Sequence, residues 1–126
     1  GGNAAISACE KAAQWGLALS LLAEMPGAKL DPNIVTYNAA ISACEKGCQW
    51  QHAQHFLGSL LQSRLQPDVI SYNAAISACE KSFQWQQALS LLGDLLLLCH
   101  LQPDVVTYNA AISACEKAAQ WQLALW

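Results

Sequence analysis

Four asparagines stand at a fixed interval: Asn3, Asn38, Asn73 and Asn109 are separated by 35, 35 and 36 residues. Some thirty residues after the first three come Asn33, Asp68 and Asp104, and a lysine follows each asparagine at a constant offset: Lys11, Lys46, Lys81 and Lys117. An asparagine amide donates and accepts hydrogen bonds, an ionised aspartate only accepts, and a lysine presents a compact cation. These types, recurring once per unit, suit recognition. They do not suit catalysis. No nucleophile–base pair, paired carboxylates or phosphate-cradling glycine loop is present, so no enzyme activity, cofactor or small-molecule substrate is expected from this chain.

Two further residue classes could bear chemistry. Cys9, Cys44, Cys79 and Cys115 recur once per unit. Equivalent positions in stacked units lie about 10 Å apart, the spacing of packed helices, too far for a disulfide. They read as small core residues in a reducing compartment. Cys48 and Cys99 are extras, and no CxxC or Cys/His spacing suggests a metal site. His52, His55 and His100 do not recur and read as surface or packing residues.

The elements that must position these residues follow from the repeat itself. NAAISACEK occurs four times, and a tryptophan follows each asparagine by 12 residues, at Trp15, Trp50, Trp85 and Trp121. Self-similarity at this period indicates a solenoid. Proline with Asp or Asn punctuates the units at Asp31-Pro32-Asn33, Gln66-Pro67-Asp68 and Gln102-Pro103-Asp104. Proline ends one helix and the polar residue can cap the next. The units are then a partial repeat 1–33, repeats 34–68 and 69–104, and a truncated repeat 105–126.

Each unit reads as two helices. In the first, Tyr37, Ala40, Ile41 and Cys44 share a face, Asn38, Ser42, Glu45 and Lys46 form a polar side, and Ala39 and Ala43 admit a close neighbour. In the second, Trp50, Ala53, Leu57, Leu60 and Leu61 form the apolar stripe, matched by Trp85, Ala88, Leu92, Leu95 and Leu96. A short turn near Gly47 and Cys48 joins them, with Ala12-Ala13, Ser82-Phe83 and Ala118-Ala119 in the other copies. The one-residue excess of the third unit falls in Leu95–Leu98, read as core or a slightly extended helix. The tryptophans lie on the second-helix stripe and read as core rather than as base-stacking platforms.

Hydrophobic residues make up 54% of the 126-residue chain and charged residues 12%, a composition of extensive burial. The most apolar stretch, Ala88 to Leu101, contains Asp94 and His100 and is too short to span a bilayer. The opening GGNAAISACEK has no initiator methionine or basic segment and reads as an internal cut rather than a signal peptide. A net charge of −3 argues mildly against nucleic acid. With about three repeats needed for a stable stack, marginal stability and end-to-end stacking are expected.

Val105 to Leu125, VVTYNAAISACEKAAQWQLAL, resembles the pentatricopeptide repeat, as does Ile34 to Asp68. The marks are a β-branched pair, Thr/Ser-Tyr-Asn, a first helix ending in Lys, and an alanine early in the second helix (Ala18, Ala53, Ala88, Ala124). A Leu-Leu or Phe-Leu pair and a closing Leu-x-Pro-Asp/Asn complete the pattern, and Met25 keeps a Glu-Met. The tetratricopeptide pattern fits worse: its period is 34 and its Trp-x₂-Leu-Gly-x₂-Tyr signature is absent.

The resemblance implies an all-α, right-handed α-solenoid of helix-turn-helix repeats of about 35 residues that reads single-stranded RNA at about one base per repeat. It implies that bases are read by Asn3 with Asn33, Asn38 with Asp68, and Asn73 with Asp104, Asn109 having lost its partner. Val35, Ile70 and Val106 would sandwich the bases, and Lys11, Lys46, Lys81 and Lys117 would contact phosphates. Asn with Asp resembles a uracil-reading pair and Asn with Asn a cytosine-leaning one, giving 5′-(C/U)-U-U-3′. The implied setting is organellar RNA processing, stability, editing or translation, in a chloroplast in preference to a mitochondrion, with protein partners through flanking regions. Other readings stay open. The lysines can solvate helix ends beside Glu10, Glu45, Glu80 and Glu116, and the asparagines or the repeat-end Asp/Asn can be helix caps. The whole array can be a protein-interaction scaffold of tetratricopeptide-like type, or a decayed array without a ligand.

Overall fold

The computed structural model describes residues 15–25, 31–63, 65–99 and 101–124, with side chains as far as residue 119. Asn3, Cys9, Lys11 and the Ala12-Ala13 turn lie outside the described residues, as do His100 and the side chain of Trp121. Among the described residues six helices follow one another: α1 (Trp15–Glu24), α2 (Ile34–Lys46), α3 (Trp50–Gln62), α4 (Val69–Lys81), α5 (Trp85–Leu97) and α6 (Val105–Ala124). No strand occurs among the described residues.

The punctuation acts as its residue types dictate. Asn33 caps α2, its side chain accepting from the Thr36 amide at 3.0 Å while the Thr36 hydroxyl accepts from the Asn33 amide at 3.2 Å. Asp68 and Ser71 build the same reciprocal box at 3.0 and 3.4 Å. Asp104 and Thr107 repeat it at 3.0 and 3.1 Å. Such a cap stabilises a helix by about 1 kcal/mol.

The hairpin turns are Schellman motifs. Gln49 N donates to Cys44 O at 2.8 Å and Cys48 N to Glu45 O at 3.1 Å, with the same bonds from Gln84 to Cys79 (2.8 Å) and Phe83 to Glu80 (3.2 Å). The left-handed residue of this motif is usually glycine, yet here it is Cys48 (φ 56°) and Phe83 (φ 60°). Gly47, one position earlier, is small for a different reason: a Cβ there would lie 2.3 Å from Cδ1 of Trp15. The corresponding turn expected at Ala118-Ala119 does not form, and α6 runs unbroken to Ala124. A left-handed residue costs about 1–2 kcal/mol, and two alanines, the strongest helix formers, extend the helix instead.

The first helices α2, α4 and α6 pack side by side, α3 and α5 each pack on the first helices before and after them, and α1 packs on α2. The second helices α3 and α5 do not approach one another by backbone. They meet through a Gln54 Nε2 bond to Gln87 Oε1 at 3.0 Å. Buried alanines, Ala40, Ala43, Ala75, Ala78, Ala111 and Ala114, let the first helices close up. A rank held closer than its neighbour bends the stack toward itself, which places the first helices on the inner side. Between the ranks lies one core, with Ile41, Leu57, Leu60, Tyr72, Ile76 and Leu95 essentially fully buried. The architecture is an all-α solenoid of stacked hairpins.

The leucine run divides rather than joining the core. Leu95 is buried, whereas Leu97 and Leu98 are 75% and 70% exposed. Helices α3 and α5 both have 13 residues, so the extra residue of the third unit enlarges the loop after α5 instead of extending the helix.

Candidate nucleic-acid interface

The N-terminal turns of α2, α4 and α6 bring two of the three predicted pairs together, Asn3 of the other pair lying outside the described residues. Asn38 Nδ2 donates to Asp68 Oδ1 at 3.3 Å, and Asn73 Nδ2 donates to Asp104 Oδ1 at 3.1 Å. Partners some thirty residues apart in sequence meet because each aspartate sits at the cap of the next first helix, which lies beside the helix that carries the asparagine. Ser71 and Thr107, fully buried, donate their hydroxyls to Asn38 Oδ1 and Asn73 Oδ1 in very short bonds. The asparagines lie one turn beyond their helix starts and do not cap, whereas Asn33, Asp68 and Asp104 do. Asn38 and Asn73 are half-buried and Asn109 is exposed. Asn33 is held by Thr36, its amide oxygen 3.0 Å from the hydroxyl.

The electrostatics keep the Asp104 carboxylate charged. The Thr107 backbone amide, followed by the side-chain amide of Asn73, holds the Asp104 carboxyl below the ordinary aspartate range. Ionised aspartate is the form that can only accept.

One position before each of these hydroxyls, Val35, Ile70 and Val106 are 56%, 64% and 58% exposed. They sit at the same place on α2, α4 and α6 and form a row of bare β-branched side chains beside the Asn–Asp pairs. Core packing does not account for that exposure.

Lys46 and Lys81 end α2 and α4, whereas Lys117 lies within the longer α6; Lys81 and Lys117 are bonded across units, which the sequence reading did not foresee. Lys81 Nζ meets Glu45 Oε1 at 2.8 Å and Lys117 Nζ meets Glu80 Oε1 at 2.7 Å. Ser77 and Ser113 donate to the same carboxylates at 3.0 and 2.6 Å. Lys117 also lies 5.5 Å from the Phe83 ring centre. Burial raises the Glu80 carboxyl, but bonds from Lys117 and Ser113 outweigh it and leave the group below its usual range. Lys46 donates to Ser42 at 3.1 Å.

Comparison with known proteins follows this geometry. Family models described as "Pentatricopeptide repeat domain", "PPR repeat" and "PPR repeat family" match residues 3–47, 35–65 and 67–117. The chain belongs to the pentatricopeptide-repeat family. It is similar to the crystal structure of pentatricopeptide repeat protein PPR10 in complex with an 18-nt psaJ RNA element, with a TM-score of 0.82 and 28% identity over 93% of this chain. It is similar also to PPR10 from maize, with a TM-score of 0.81 and 27% identity over 98% of this chain. The chain spans 17% and 18% of the length of those two proteins. No curated protein sequence matches it.

Apart from Cys48 and from Cys115, which is exposed where a core residue was expected, the other described candidates of this pentatricopeptide-repeat chain are packing residues. Trp15, Trp50 and Trp85 are half-buried against the core. Cys44 and Cys79 are fully buried, and burial pushes their thiols up to about 11, which suits inert core residues. Cys48 and Cys115 are exposed, and the five described cysteines are free thiols. Cys99 Sγ lies 3.1 Å from the Tyr72 hydroxyl. His52 packs on Trp15 with ring centres 4.9 Å apart, and His55 packs on Phe56. Among the described residues no group of three or more His, Cys, Asp or Glu could hold a metal ion, and no helix is long and apolar enough to cross a membrane.

Proposed function

We propose that this pentatricopeptide-repeat segment binds single-stranded RNA, one base per repeat. The observation that carries the reading is the row of joined Asn–Asp pairs, each flanked by an exposed β-branched residue, on the first-helix side of the stack. In each pair one Nδ2 hydrogen and one Oδ1 lone pair of the asparagine are used internally, and one of each is left for a base edge. The aspartate accepts from a donor such as the ring N–H of uracil and has nothing to offer the bare ring nitrogen of cytosine. Val35, Ile70 and Val106 press on base faces. The preferred sequence is 5′-(C/U)-U-U-3′, with Asn3 and Asn33 reading the first position. Lys11, Lys46, Lys81 and Lys117 contact phosphates, Lys81 and Lys117 trading a carboxylate for a phosphate as they do so.

In its parent protein the segment would act by occupancy, binding a pyrimidine-rich stretch to block nucleases, remodel RNA or place a partner. The setting is organellar, a chloroplast before a mitochondrion, on the family resemblance. PPR10, which the chain resembles, was crystallised with RNA, and this supports the reading. A protein-interaction scaffold is the second reading, favoured by the net charge of −3 and by the pairing of Lys81 and Lys117 with glutamates. Titration at low salt with oligonucleotides containing CUU or purine triplets separates the two. RNA binding predicts pyrimidine selectivity that Asn38→Ala with Asn73→Ala abolishes. Preference for purines, or no RNA binding with capture of a peptide by the same face, refutes it.

A further inference from the structure

The hydroxyl of each repeat is placed to decide how the preceding repeat's asparagine presents itself. Ser71 Oγ lies in hydrogen-bonding contact with Asn38 Oδ1 and 3.0 Å from Asp68 Oδ1. Thr107 Oγ1 touches Asn73 Oδ1 and lies 2.9 Å from Asp104 Oδ1. A hydroxyl has one proton. Asp68 Oδ1 already accepts from the Ser71 amide at 3.0 Å and from Asn38 Nδ2 at 3.3 Å. Two oxygens as close as Ser71 Oγ and Asn38 Oδ1 need a proton between them, and neither amide nor carboxylate oxygen has one to give. The hydroxyl proton therefore goes to Asn38. Thr107 and Asn73 repeat the argument, with Asp104 Oδ1 held by the Thr107 amide at 3.0 Å and Asn73 Nδ2 at 3.1 Å.

Turning the amide over would set Asn Oδ1 against an ionised carboxylate oxygen and leave the hydroxyl to find another acceptor. The asparagine is thus gripped at both ends, its carbonyl by a hydroxyl and its amino group by a carboxylate, and both grips come from the N-terminal turn of the following repeat. We infer that Ser71 and Thr107 are specificity-determining positioning residues that fix the amide orientation of Asn38 and Asn73 and so set the base each repeat selects. They touch no base themselves. This inference rests on the RNA-binding reading.

The test uses the whole chain with Ser71→Ala and Thr107→Val, and with the conservative Ser71→Thr and Thr107→Ser. The half of each capping box in which Asp68 and Asp104 accept from the backbone amides survives all four, Ser71→Ala and Thr107→Val losing only the return bond to the hydroxyl, and matched melting curves check the fold. Probes are single-stranded RNAs carrying CUU, CCU or CUC. Ser71→Ala should lower the uracil-over-cytosine preference at the second base about fivefold, the size of one neutral hydrogen bond, and leave the third base unchanged. Thr107→Val should do the reverse, and the conservative variants should restore both. NMR of the Asn38 and Asn73 side-chain amides, without RNA, should show faster proton exchange in the matching variant alone. Unchanged position-specific preference in folded Ser71→Ala and Thr107→Val overturns the inference. Lack of pyrimidine selectivity in the unmodified chain is a different result: it overturns the RNA reading and this inference with it.

Discussion

Asp104→Asn separates reading from stacking, because the chain contains its own control. Asn33 occupies the equivalent cap and accepts from Thr36 N at 3.0 Å, the distance at which Asp104 accepts from Thr107 N. Asparagine and aspartate are about equal as caps, so the substitution should keep the box and lose only the favourable charge at the N-terminus of α6. That loss depends on pH. The Asp104 carboxyl is held below its ordinary range by the Thr107 amide and by Asn73. Its contribution is present above the unfolded aspartate pKa and fades as pH falls through the lower folded value. Wild type and variant should therefore differ in stability at neutral pH and converge in acid. Reading should change more. A hydrogen bond to a charged acceptor is stronger than one to a neutral amide oxygen, so the uracil preference at the third base should fall about tenfold or more and move toward cytosine. Competition by fluorescence anisotropy between CUU and CUC oligonucleotides, beside urea melts at neutral and acid pH, measures both. A folded Asp104→Asn protein that still prefers uracil at that base would refute the assignment of Asp104 as a reader.

Leu60→Ala removes a fully buried side chain between the two helix ranks and should destabilise the chain by about 2–5 kcal/mol, read as a lower urea midpoint; a loss under half that would mean the neighbouring leucines collapse into the space. Gly47→Ala puts a Cβ 2.3 Å from the Trp15 ring. Overpacking of this kind costs about 1–3 kcal/mol, and Trp15→Ala in the same chain should relieve it, so additive losses in a double-mutant cycle would contradict the contact. Lys81→Ala should lower the salt slope of RNA binding by about 0.7, the single-strand value per phosphate contact. An unchanged slope would mean that Lys81 stays with Glu45.

Which parts of this were legible in the sequence depends on whether a residue's type dictates its state. The asparagine interval and the Pro-Asp punctuation were readable, because caps and helix breaks are local chemistry, whereas the pairing of Asn38 with Asp68 and of Asn73 with Asp104 came from the family resemblance. The left-handed residues were not. Nothing in Cys48 or Phe83 asks for a positive φ, and the neighbouring Gly47 drew attention to a position that is small because of Trp15. The Glu45–Lys81 and Glu80–Lys117 bridges follow from how far one hairpin is offset along the next. Sequence shows only the adjacent pairs Glu45-Lys46 and Glu80-Lys81. The second role of Ser71 and Thr107 left a signal in the sequence: a hydroxyl recurs two residues before Asn38, Asn73 and Asn109.

The same few atoms hold the stack together and shape its polar row. Asp68 Oδ1 caps α4 through Ser71 N and reaches back to Asn38 on α2, so the bond that starts one first helix is joined to the bond that orients the side chain of the previous one. An isolated hairpin would have the asparagine without its carboxylate or its hydroxyl. Slipping α4 along α2 by one residue would break the Asn38 contacts and the Glu45–Lys81 bridge together, at opposite ends of the same helix pair. Register is therefore fixed at both ends of the first helices. The polar groups at the N-terminal ends gain their geometry only when a neighbour is docked, which is the condition for a row of readers to advance one base per repeat rather than act as separate sites.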